Sequence, residues 1–459
     1  MSTLYNALSG ALAAQTALNT TSQNIANVMT EGYTRQGTLM AAVAPSRGGV
    51  NAGGGVTVPS LIRFSDNYKS LQMWQAASEL GQRNTSQPYL TQLEQVMGSD
   101  TASINTGLDA FFSALNAASV EPTSSPLRQQ VITAADALAQ RVNSLQQVLT
   151  NQRSAVYQQR SATVTQVNTL SANIAELNKK ITAAHATGVN NSSLIDQRDR
   201  QIDELAGLIG VQVVDQPDGS RSISLRGGQP LVVGSDASTL SVQTLSDGTQ
   251  ALRLNFAHES FSITSSNLGG ELGGLNDFER DTIVPMMQSV VEIAGEVARL
   301  VNDQLAAGYA MDGSSGAALP LFEFDPTSAS GLLKVRSGTV PQDLAFSSSA
   351  TEPGNSDNLL ALIEIPKQTV TIGALGNVLL GDAYTQLVSK LAMQSQQNQA
   401  SLTTAETVRT QAEESWKSTS GVNQDEEAIN LMQYQQMYQA NMKVIAVANE
   451  LFDSTLAMI

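Results

Sequence analysis

The amino-acid sequence predicts a mainly α-helical protein that carries a small β insertion. Three patterns support this fold class. Apolar residues recur at helical spacing at both ends of the chain, long helical runs lie between them, and a stretch near the middle alternates as strands do. A chain of 459 residues can bury several cores, so about two to four domains are expected.

The first thirty residues contain no charged side chain and are apolar at helical spacing. The residues that recur every seven positions are Leu4, Ala11, Leu18 and Ile25, with Leu8 and Leu12 on the adjoining rows. A seven-residue period is typical of helices that pack as coiled coils. The pattern predicts a helix from about Ser2 to Val28, followed by Gly32 in a position suited to a left-handed cap.

The C-terminal segment has the same character, since its charged side chains after Ala428 are Lys443, Glu450 and Asp453. Two seven-residue ladders run along it: Leu431, Tyr438, Ile445, Phe452 and Ile459, and Met437, Val444, Leu451 and Met458. Asn423 is expected to cap this helix, with Glu426 as its partner in a capping box. Both chain ends are therefore expected to bury a helix face against another helix.

Long helical runs are predicted over Pro126–Ala186 and Asp382–Lys417, because apolar residues there step by three and four. Further helices are predicted over about 66–97, with Pro88 as a candidate break point, and over about 275–307.

The period changes to that of strands between Val211 and Ser266, where Asp218-Gly219 and Asp247-Gly248 supply hairpin turns. This stretch is expected to form a small β domain inserted into a helical body. Short strands are also expected at 56–58 and 61–62, after a glycine-rich loop or loose hairpin over 44–55. Residues 308–353 are rich in Gly, Ser and Pro and contain short strand-like pieces.

The composition argues against several classes of function. The chain has 25 basic and 41 acidic residues, a net charge of −16, which disfavours nucleic acid and anionic membranes as partners. The absence of cysteine excludes disulfides and Cys-based zinc sites. No secretory signal or membrane-spanning run is visible, so the chain is expected to be cytosolic or exported without signal cleavage.

Catalytic and metal sites find little support. His185 and His258 have no third ligand type at metal spacing, and His258 with Glu259 is expected to be a surface pair. A cluster of charges has helical spacing and is interpreted as a solvated helix face with local ion pairs. Its members are Asp196, Asp199, Asp203, Glu204, Arg198 and Arg200. No enzyme activity, cofactor or metal ion is expected.

Several motifs resemble those of one protein family. Asn24–Gln36 (Asn-Ile-Ala-Asn-Val-Met-Thr-Glu-Gly-Tyr-Thr-Arg-Gln) resembles the N-terminal signature of the bacterial flagellar rod, hook and hook-associated proteins. Its Tyr-Thr-Arg-Gln ending is similar to that of members at the hook-filament junction. Ser420–Glu427 resembles the C-terminal signature of the same family. Further similar stretches are Tyr434–Gln436, Ala440–Asn441, Leu194–Asp199 and Gly270–Leu275.

The resemblance implies an elongated, multi-domain axial protein. Its inner domain would pair the terminal helices of 1–35 and 420–459 in a coiled-coil-like arrangement. A helical rod domain would comprise 36–210 and 275–419, and an outer β domain 211–274. Two departures are notable: Gln424 stands where Leu is common, and 309–382 leaves no room for the additional outer domain of longer members.

The resemblance also implies function, partners and location. The chain would be a structural adaptor at the hook-filament junction, outside the cell, exported unfolded through the flagellar type III apparatus. Its partners would be further copies of itself in a ring or helical turn, the hook protein, and a second junction protein, hook-associated protein 3, on the filament side. An export chaperone is expected at the C-terminal helix. The expected assembly interface comprises Leu4, Leu8, Ala11, Leu12, Leu18, Ile25, Asn27, Tyr33, Leu431, Tyr438, Val444, Ile445, Leu451, Phe452 and Ile459.

Four alternatives are weaker. A hook or rod component is the nearest, and the Thr34-Arg35-Gln36 ending argues against it. An adhesin or effector of a virulence type III system would lack both terminal motifs. An enzyme fused to a rod protein would need a larger catalytic domain than the β insertion. A cytosolic coiled-coil scaffold would carry more Lys and Glu on its exposed helix faces.

Overall fold

The computed structural model describes residues 2–44, 53–100, 102–246, 248–263, 267–328 and 331–458. The glycine-rich loop over 44–55 therefore lies mostly outside the described residues, as do Asp247, Ser266 and Ile459. The structure is mainly α-helical with small antiparallel sheets, as the sequence predicts.

The described residues form ten α-helices. They are α1 (Ser2–Ala26), α2 (Asn67–Met97), α3 (Ile104–Val120), α4 (Ser125–Thr187), α5 (Ser192–Leu208), α6 (Gly270–Phe278), α7 (Val284–Ala306), α8 (Asp357–Ile363), α9 (Leu380–Ser420) and α10 (Gln424–Ala457). A π-helical turn, Glu279–Ile283, joins α6 to α7. Short 3-10 turns lie at Gly316–Ala318, Pro341–Asp343 and Ile365–Lys367.

Thirteen strands pair in antiparallel sheets within the same described ranges. They are β1 (Gln36–Ala42), β2 (Val56–Arg63), β3 (Val211–Asp215), β4 (Arg221–Leu225), β5 (Pro230–Val233), β6 (Asp236–Ala237), β7 (Thr239–Thr244), β8 (Gln250–Phe256), β9 (Glu259–Ile263), β10 (Phe322–Phe324), β11 (Leu333–Val335), β12 (Thr369–Ile372) and β13 (Gly376–Leu379). The insertion comprises a four-stranded sheet, β3-β4-β5-β6, and a three-stranded sheet, β7-β8-β9. Hairpins β1-β2, β10-β11 and β12-β13 complete the set.

The predicted helices agree with the structure in most places. No glycine or proline interrupts the sequence between Pro126 and Gly188, and α4 runs 63 residues without a break. Gly188 ends it with a φ of 69°, which favours glycine. The expected break at Pro88 was wrong, because Pro88 lies inside a continuous α2. The sequence also left β1, α3 and α8 unpredicted.

The chain packs as two compact units. The first comprises 1–80, 164–270 and 405–459, and the second comprises 81–163 and 271–404. The three-part division expected from the sequence stays a prediction. In the first unit α1 packs against α10 and against the β1-β2 hairpin. Arg409 of α9 donates to the Met73 carbonyl of α2 at 2.8 Å, and Lys69 donates to the Ser415 carbonyl at 2.9 Å.

The second unit contains one continuous hydrophobic core. Phe111 contacts Phe112 and Phe322 edge to face, with ring centroids 5.2 and 5.7 Å apart. Arg128 is buried beside this core and donates to three backbone carbonyls, while its guanidinium lies 4.6 Å from the centroid of Phe346. Burial lowers the pKa of Arg128 to about 10. These contacts fix residues 341–346, a stretch the sequence left undefined.

Candidate functional site: the paired terminal helices

Helices α1 and α10 pair in antiparallel orientation within the first unit. Asn24 near the end of α1 hydrogen-bonds to Glu427 near the start of α10. Gly10 lies so close to Asn441 that a Cβ at position 10 would meet the Asn441 Oδ1 at 2.5 Å. Gly10 and Asn24 on α1 are as far apart in sequence as Glu427 and Asn441 on α10. The two contacts therefore define one constant register between the helices.

The face of α1 toward α10 is built from small residues. Gly10 and Asn24 lie on this face. Ala7, Ala14 and Ala17 share the face by helical spacing, and all three are buried. Small side chains allow two helices to approach closely. Large apolar residues of α1 lie elsewhere: Leu8 is 46% exposed and Leu12 is 55% exposed.

The residues predicted for the assembly interface fall into three groups. Ala11 is buried. The half-buried members are Leu18, Ile25, Asn27, Tyr33, Leu431, Tyr438 and Ile445. The exposed members are Leu4, Leu8, Leu12, Val444, Leu451 and Phe452. Ile459 lies outside the described residues. The interface itself remains a prediction, because the structure contains a single chain.

Asn24 is the polar centre of the helix pair. Its side chain is 1% exposed and makes four hydrogen bonds. The Nδ2 donates to the Gln36 carbonyl at 2.8 Å and to the Glu427 Oε2 at 3.0 Å. The Oδ1 accepts from the Gln36 amide at 3.0 Å and from the Tyr33 hydroxyl at 2.9 Å. Every donor and acceptor site of this buried amide is therefore satisfied.

A second set of hydrogen bonds connects the start of α10 to the residues directly before β1. Asn423 caps α10, since its side chain accepts from the amides of Asp425 and Glu426. The prediction of a capping box was wrong in its second half. The Glu426 carboxylate bonds to Arg35 at 2.5 Å instead of turning back to Asn423. The Arg35 amide also donates to the Ser420 carbonyl at 2.8 Å. We call the contacts among Asn24, Arg35, Gln36, Glu426 and Glu427 the terminal clasp.

Asp196 and Asp199 of α5 belong to a largely buried charge network, and the prediction of a solvated face was wrong for them, whereas Arg200 and Glu204 are exposed. Asp196 is 5% exposed and pairs with Arg63 of β2 at 2.8 Å. Asp199 pairs with the same guanidinium at 3.0 Å and also contacts Arg221 of β4. Burying an unpaired carboxylate would be costly. Here the opposite charge is supplied by Arg63 and Arg221, which lie on strands distant in the sequence.

The network extends to the neighbouring elements. Arg198 is buried and donates to the Gly219 carbonyl at 2.8 Å and to the Asn178 side chain at 3.2 Å. Asp203 forms a two-pronged ion pair with Arg409 of α9, at 2.6 and 2.7 Å. These bonds connect α5 to α4, to α9 and to both strands β2 and β4.

Burial shifts several pKa values at this site. Burial, and next the carboxylates of Asp196 and Glu427, raise the pKa of Tyr33 to about 12. Burial also raises the pKa of Asp196, although Arg63 and the Thr34 amide oppose that shift. For Arg198, burial lowers the pKa to about 10. Tyr33 therefore keeps its proton and Arg198 keeps its charge near neutral pH.

The described part of the chain holds no group of three or more His, Asp or Glu residues suited to a metal ion. Within the same residues, no helix is long and apolar enough to cross a membrane.

Comparison with known families identifies the chain. The model of the helical domain of flagellar hook-associated protein FlgK matches residues 90–321, which is half of the chain. The chain belongs to the FlgK family of flagellar hook-associated proteins. Two further family models match its ends: the flagellar basal body rod protein over 4–34 and the C-terminal region of the rod proteins FlgEFG over 418–458. The chain is thus a structural protein of the bacterial flagellum.

Curated members of the FlgK family align along the whole chain. Flagellar hook-associated protein 1 of Salmonella typhimurium is 28% identical over 553 aligned residues, covering 99% of this chain and all of the relative. The proteins of the same name from Escherichia coli and Bacillus subtilis are each 26% identical, covering 99% and 97% of this chain and 99% and 95% of their own lengths. Because the Salmonella alignment is longer than this chain, that relative carries residues that are missing here.

A solved FlgK structure shows the same fold. The flagellar hook junction protein FlgK from Burkholderia pseudomallei superposes with a TM-score of 0.65 at 19% identity, covering 77% of this chain and all of that one. The terminal clasp joins the two terminal signatures of this family, since Asn24 begins the first and Glu427 ends the second. The predicted assembly interface did not include Asn24, Arg35 and Glu427. Asn24 and Arg35 lie in the first signature and Glu427 in the second, and this was the signal that could have found them.

Proposed function

We propose that this FlgK-family chain is the adaptor between hook and filament, and that its paired terminal helices are the assembling part. The observation that carries the proposal is the distribution of apolar side chains on this pair. The α1–α10 contact uses small residues, and Leu8, Leu12, Leu451 and Phe452 remain exposed. Burying one such side chain contributes about 1.5–3 kcal/mol, so a few per subunit would stabilise an assembly.

The names of the relatives support a position beside the hook. The Burkholderia protein is called a hook junction protein and the curated relatives hook-associated proteins. We assign this chain the same position: the hook protein on one side, hook-associated protein 3 on the filament side, and further copies of itself alongside. Export through the type III apparatus, with a chaperone on α10, would deliver it outside the cell. The inner, rod and outer β domains are proposed with the limits given above.

The proposal is tested by electron microscopy of flagella labelled with an antibody against residues 211–263. One narrow band where the hook meets the filament would support the junction role. Label along the whole hook would favour the alternative, a hook or rod component, to which the matches of rod-protein models at both chain ends point.

A substitution tests the role of the helix pair. Leu12→Asp should abolish filament attachment while the protein is still exported, because a carboxylate would enter an apolar interface. Leu360→Asp, on α8 and similarly exposed, is the matched control and should leave filaments normal. Normal filaments with Leu12→Asp would contradict the assignment of this face.

A further inference from the structure

A cavity of about 460 Å³ lies within the first unit, beside the residues that follow α1. This volume is within the range of cavities that hold small ligands. Its wall is formed by residues from four stretches of the chain: 27–33, 70–74 of α2, 199–203 of α5, and 409–422 from α9 and the turn before α10. We call it the tryptophan cavity, because both tryptophans of the chain, Trp74 and Trp416, line it.

Much of the wall of the tryptophan cavity is apolar. Besides the two indoles, the apolar side chains are Val28, Met29, Met73 and Val422. Aromatic rings and thioethers are polarizable and adapt to the shape of an apolar partner. A ligand with an aromatic or aliphatic body would therefore be stabilised by burial here.

Trp74 has a hydrogen-bond donor that is not used. The residue is 3% exposed, and its buried Nε1–H has no acceptor among the described residues. The Arg221 guanidinium lies 5.2 Å from the centroid of the Trp74 ring, and it is itself a donor. Buried donors in proteins are nearly always satisfied. An acceptor on a ligand in the cavity would satisfy this one.

Most charges in the wall are already paired. Asp199, Asp203 and Glu413 each form an ion pair with an arginine or a lysine. The two exceptions within the described ranges are Arg200 and Glu31, whose exposed side chains have no ion-pair or hydrogen-bond partner there. The wall therefore offers one unpaired cation and one unpaired anion to a ligand.

Gly32 determines where the Arg200 side chain lies. A Cβ at position 32 would overlap the Arg200 Cγ and would lie 2.7 Å from its Cδ. The aliphatic part of Arg200 thus packs directly on the backbone of Gly32, which a larger residue would prevent. This contact holds Arg200 at the wall of the cavity and leaves its guanidinium available to a ligand.

From these observations we propose that the tryptophan cavity binds a carboxylate carried on an aromatic or aliphatic group. The carboxylate would accept from the Trp74 Nε1–H and pair with Arg200, while the apolar body packs on Trp416 and Met73. Trp74 and Arg200 are both donors, and an ionised carboxylate offers only acceptors. Glu31 would oppose such a ligand, so its removal should strengthen binding. This inference goes beyond the proposed function and does not depend on it.

Two sources can supply this chemistry. One is a free carboxylate with an aromatic or aliphatic body. The other is an Asp or Glu side chain next to an apolar side chain on a neighbouring protein of the flagellum. Both would place the same groups in the cavity, and they differ in whether the cavity is open after assembly.

Titration of the purified full-length chain with 4-phenylbutyrate at neutral pH tests the proposal. Tryptophan emission is the readout, since both tryptophans line the cavity. We expect a saturable change in emission. The uncharged 4-phenylbutyramide has the same apolar body and should bind about three- to tenfold more weakly.

Substitutions test the role of each group. Arg200→Gln should raise the Kd of 4-phenylbutyrate about three- to tenfold, and Trp74→Phe, with Trp416 as reporter, should raise it by a similar factor. Glu31→Gln should lower the Kd. Arg299→Gln is the matched control, because Arg299 is an exposed arginine in the second unit, and it should leave the Kd unchanged. Circular dichroism checks that each variant is folded.

Three results would overturn the proposal. No saturable change with 4-phenylbutyrate would mean that the cavity holds only water. Equal binding of the acid and the amide would mean that no carboxylate is recognised. Tighter binding with Arg200→Gln and weaker binding with Glu31→Gln would mean that the cavity selects a cation.

Alkylation of Arg200→Cys distinguishes the two sources, because the chain has no cysteine of its own. Its rate with a maleimide is compared between the purified chain and assembled flagella. Strong protection in flagella would support a side chain of a neighbouring protein as the occupant. An unchanged rate would support a free carboxylate.

Discussion

Replacing Asn24 by alanine tests whether the terminal clasp holds the helix pair together. The substitution removes three hydrogen bonds to neutral groups and one to the Glu427 carboxylate. Net values are about 1 kcal/mol for a neutral bond and about 1.5–3 kcal/mol for a bond to a charged group. The expected loss is therefore about 4.5–6 kcal/mol, comparable to the lower range of total stability for a domain. Opening of α1 from α10 should become much easier.

Hydrogen exchange of the amides in α1 and α10 measures this opening free energy directly. Peptides from α3, in the second unit, should keep their protection and serve as an internal reference. Asn19→Ala is the matched control, because Asn19 is an exposed residue of the same helix and should change protection by less than about 0.5 kcal/mol. A loss below about 1 kcal/mol for Asn24→Ala would refute the assignment of Asn24 as the centre of the clasp.

Three further predictions concern the same unit. Gly32→Ala should destabilise it by about 1–2 kcal/mol in urea unfolding, because Gly32 has a φ of 71° and a Cβ there would clash with the Arg200 side chain; an unchanged midpoint would contradict this. Asp203→Asn should cost about 1–3 kcal/mol, since it breaks the two-pronged pair with Arg409; a double-mutant cycle measures the coupling, and a value near zero would count against the pair. The raised pKa of Tyr33 means that the folded state holds this proton more tightly than the unfolded state, so its stabilisation is complete below pH 10.0 and is lost as pH rises toward about 12. Wild type should therefore lose more stability than Tyr33→Phe between these pH values, and parallel curves would argue against the shift.

The sequence predicted those elements whose cause is local. Helix α4 follows from apolar spacing and from the absence of glycine and proline before Gly188. The insertion follows from alternation and from turn residues such as Gly219, whose φ is 84°. Strand β1 was missed because Gln36–Ala42 has little strand character of its own and depends on pairing with β2.

The candidate site was predicted less completely, because its decisive contacts are distant in sequence. Asp196 and Asp199 stand beside arginines at helical spacing, which favoured local ion pairs on a solvated face. Their main partners, Arg63 and Arg221, lie on strands elsewhere in the chain. Asn24 and Glu427 are separated by almost the whole sequence. Spacing alone cannot reveal such pairs.

The arrangement of α1 inverts the usual distribution of apolar residues. In an ordinary helix pair the leucines fill the contact and the alanines lie toward its margin, because large side chains contribute most on burial. In α1 the close approach at Gly10 leaves room only for small residues, so Ala14 and Ala17 are buried while Leu8 and Leu12 are exposed. A helix pair of this kind forgoes stability within the chain and leaves its largest apolar side chains exposed, as the proposed assembly requires. This arrangement is visible only once the register with Asn441 is known.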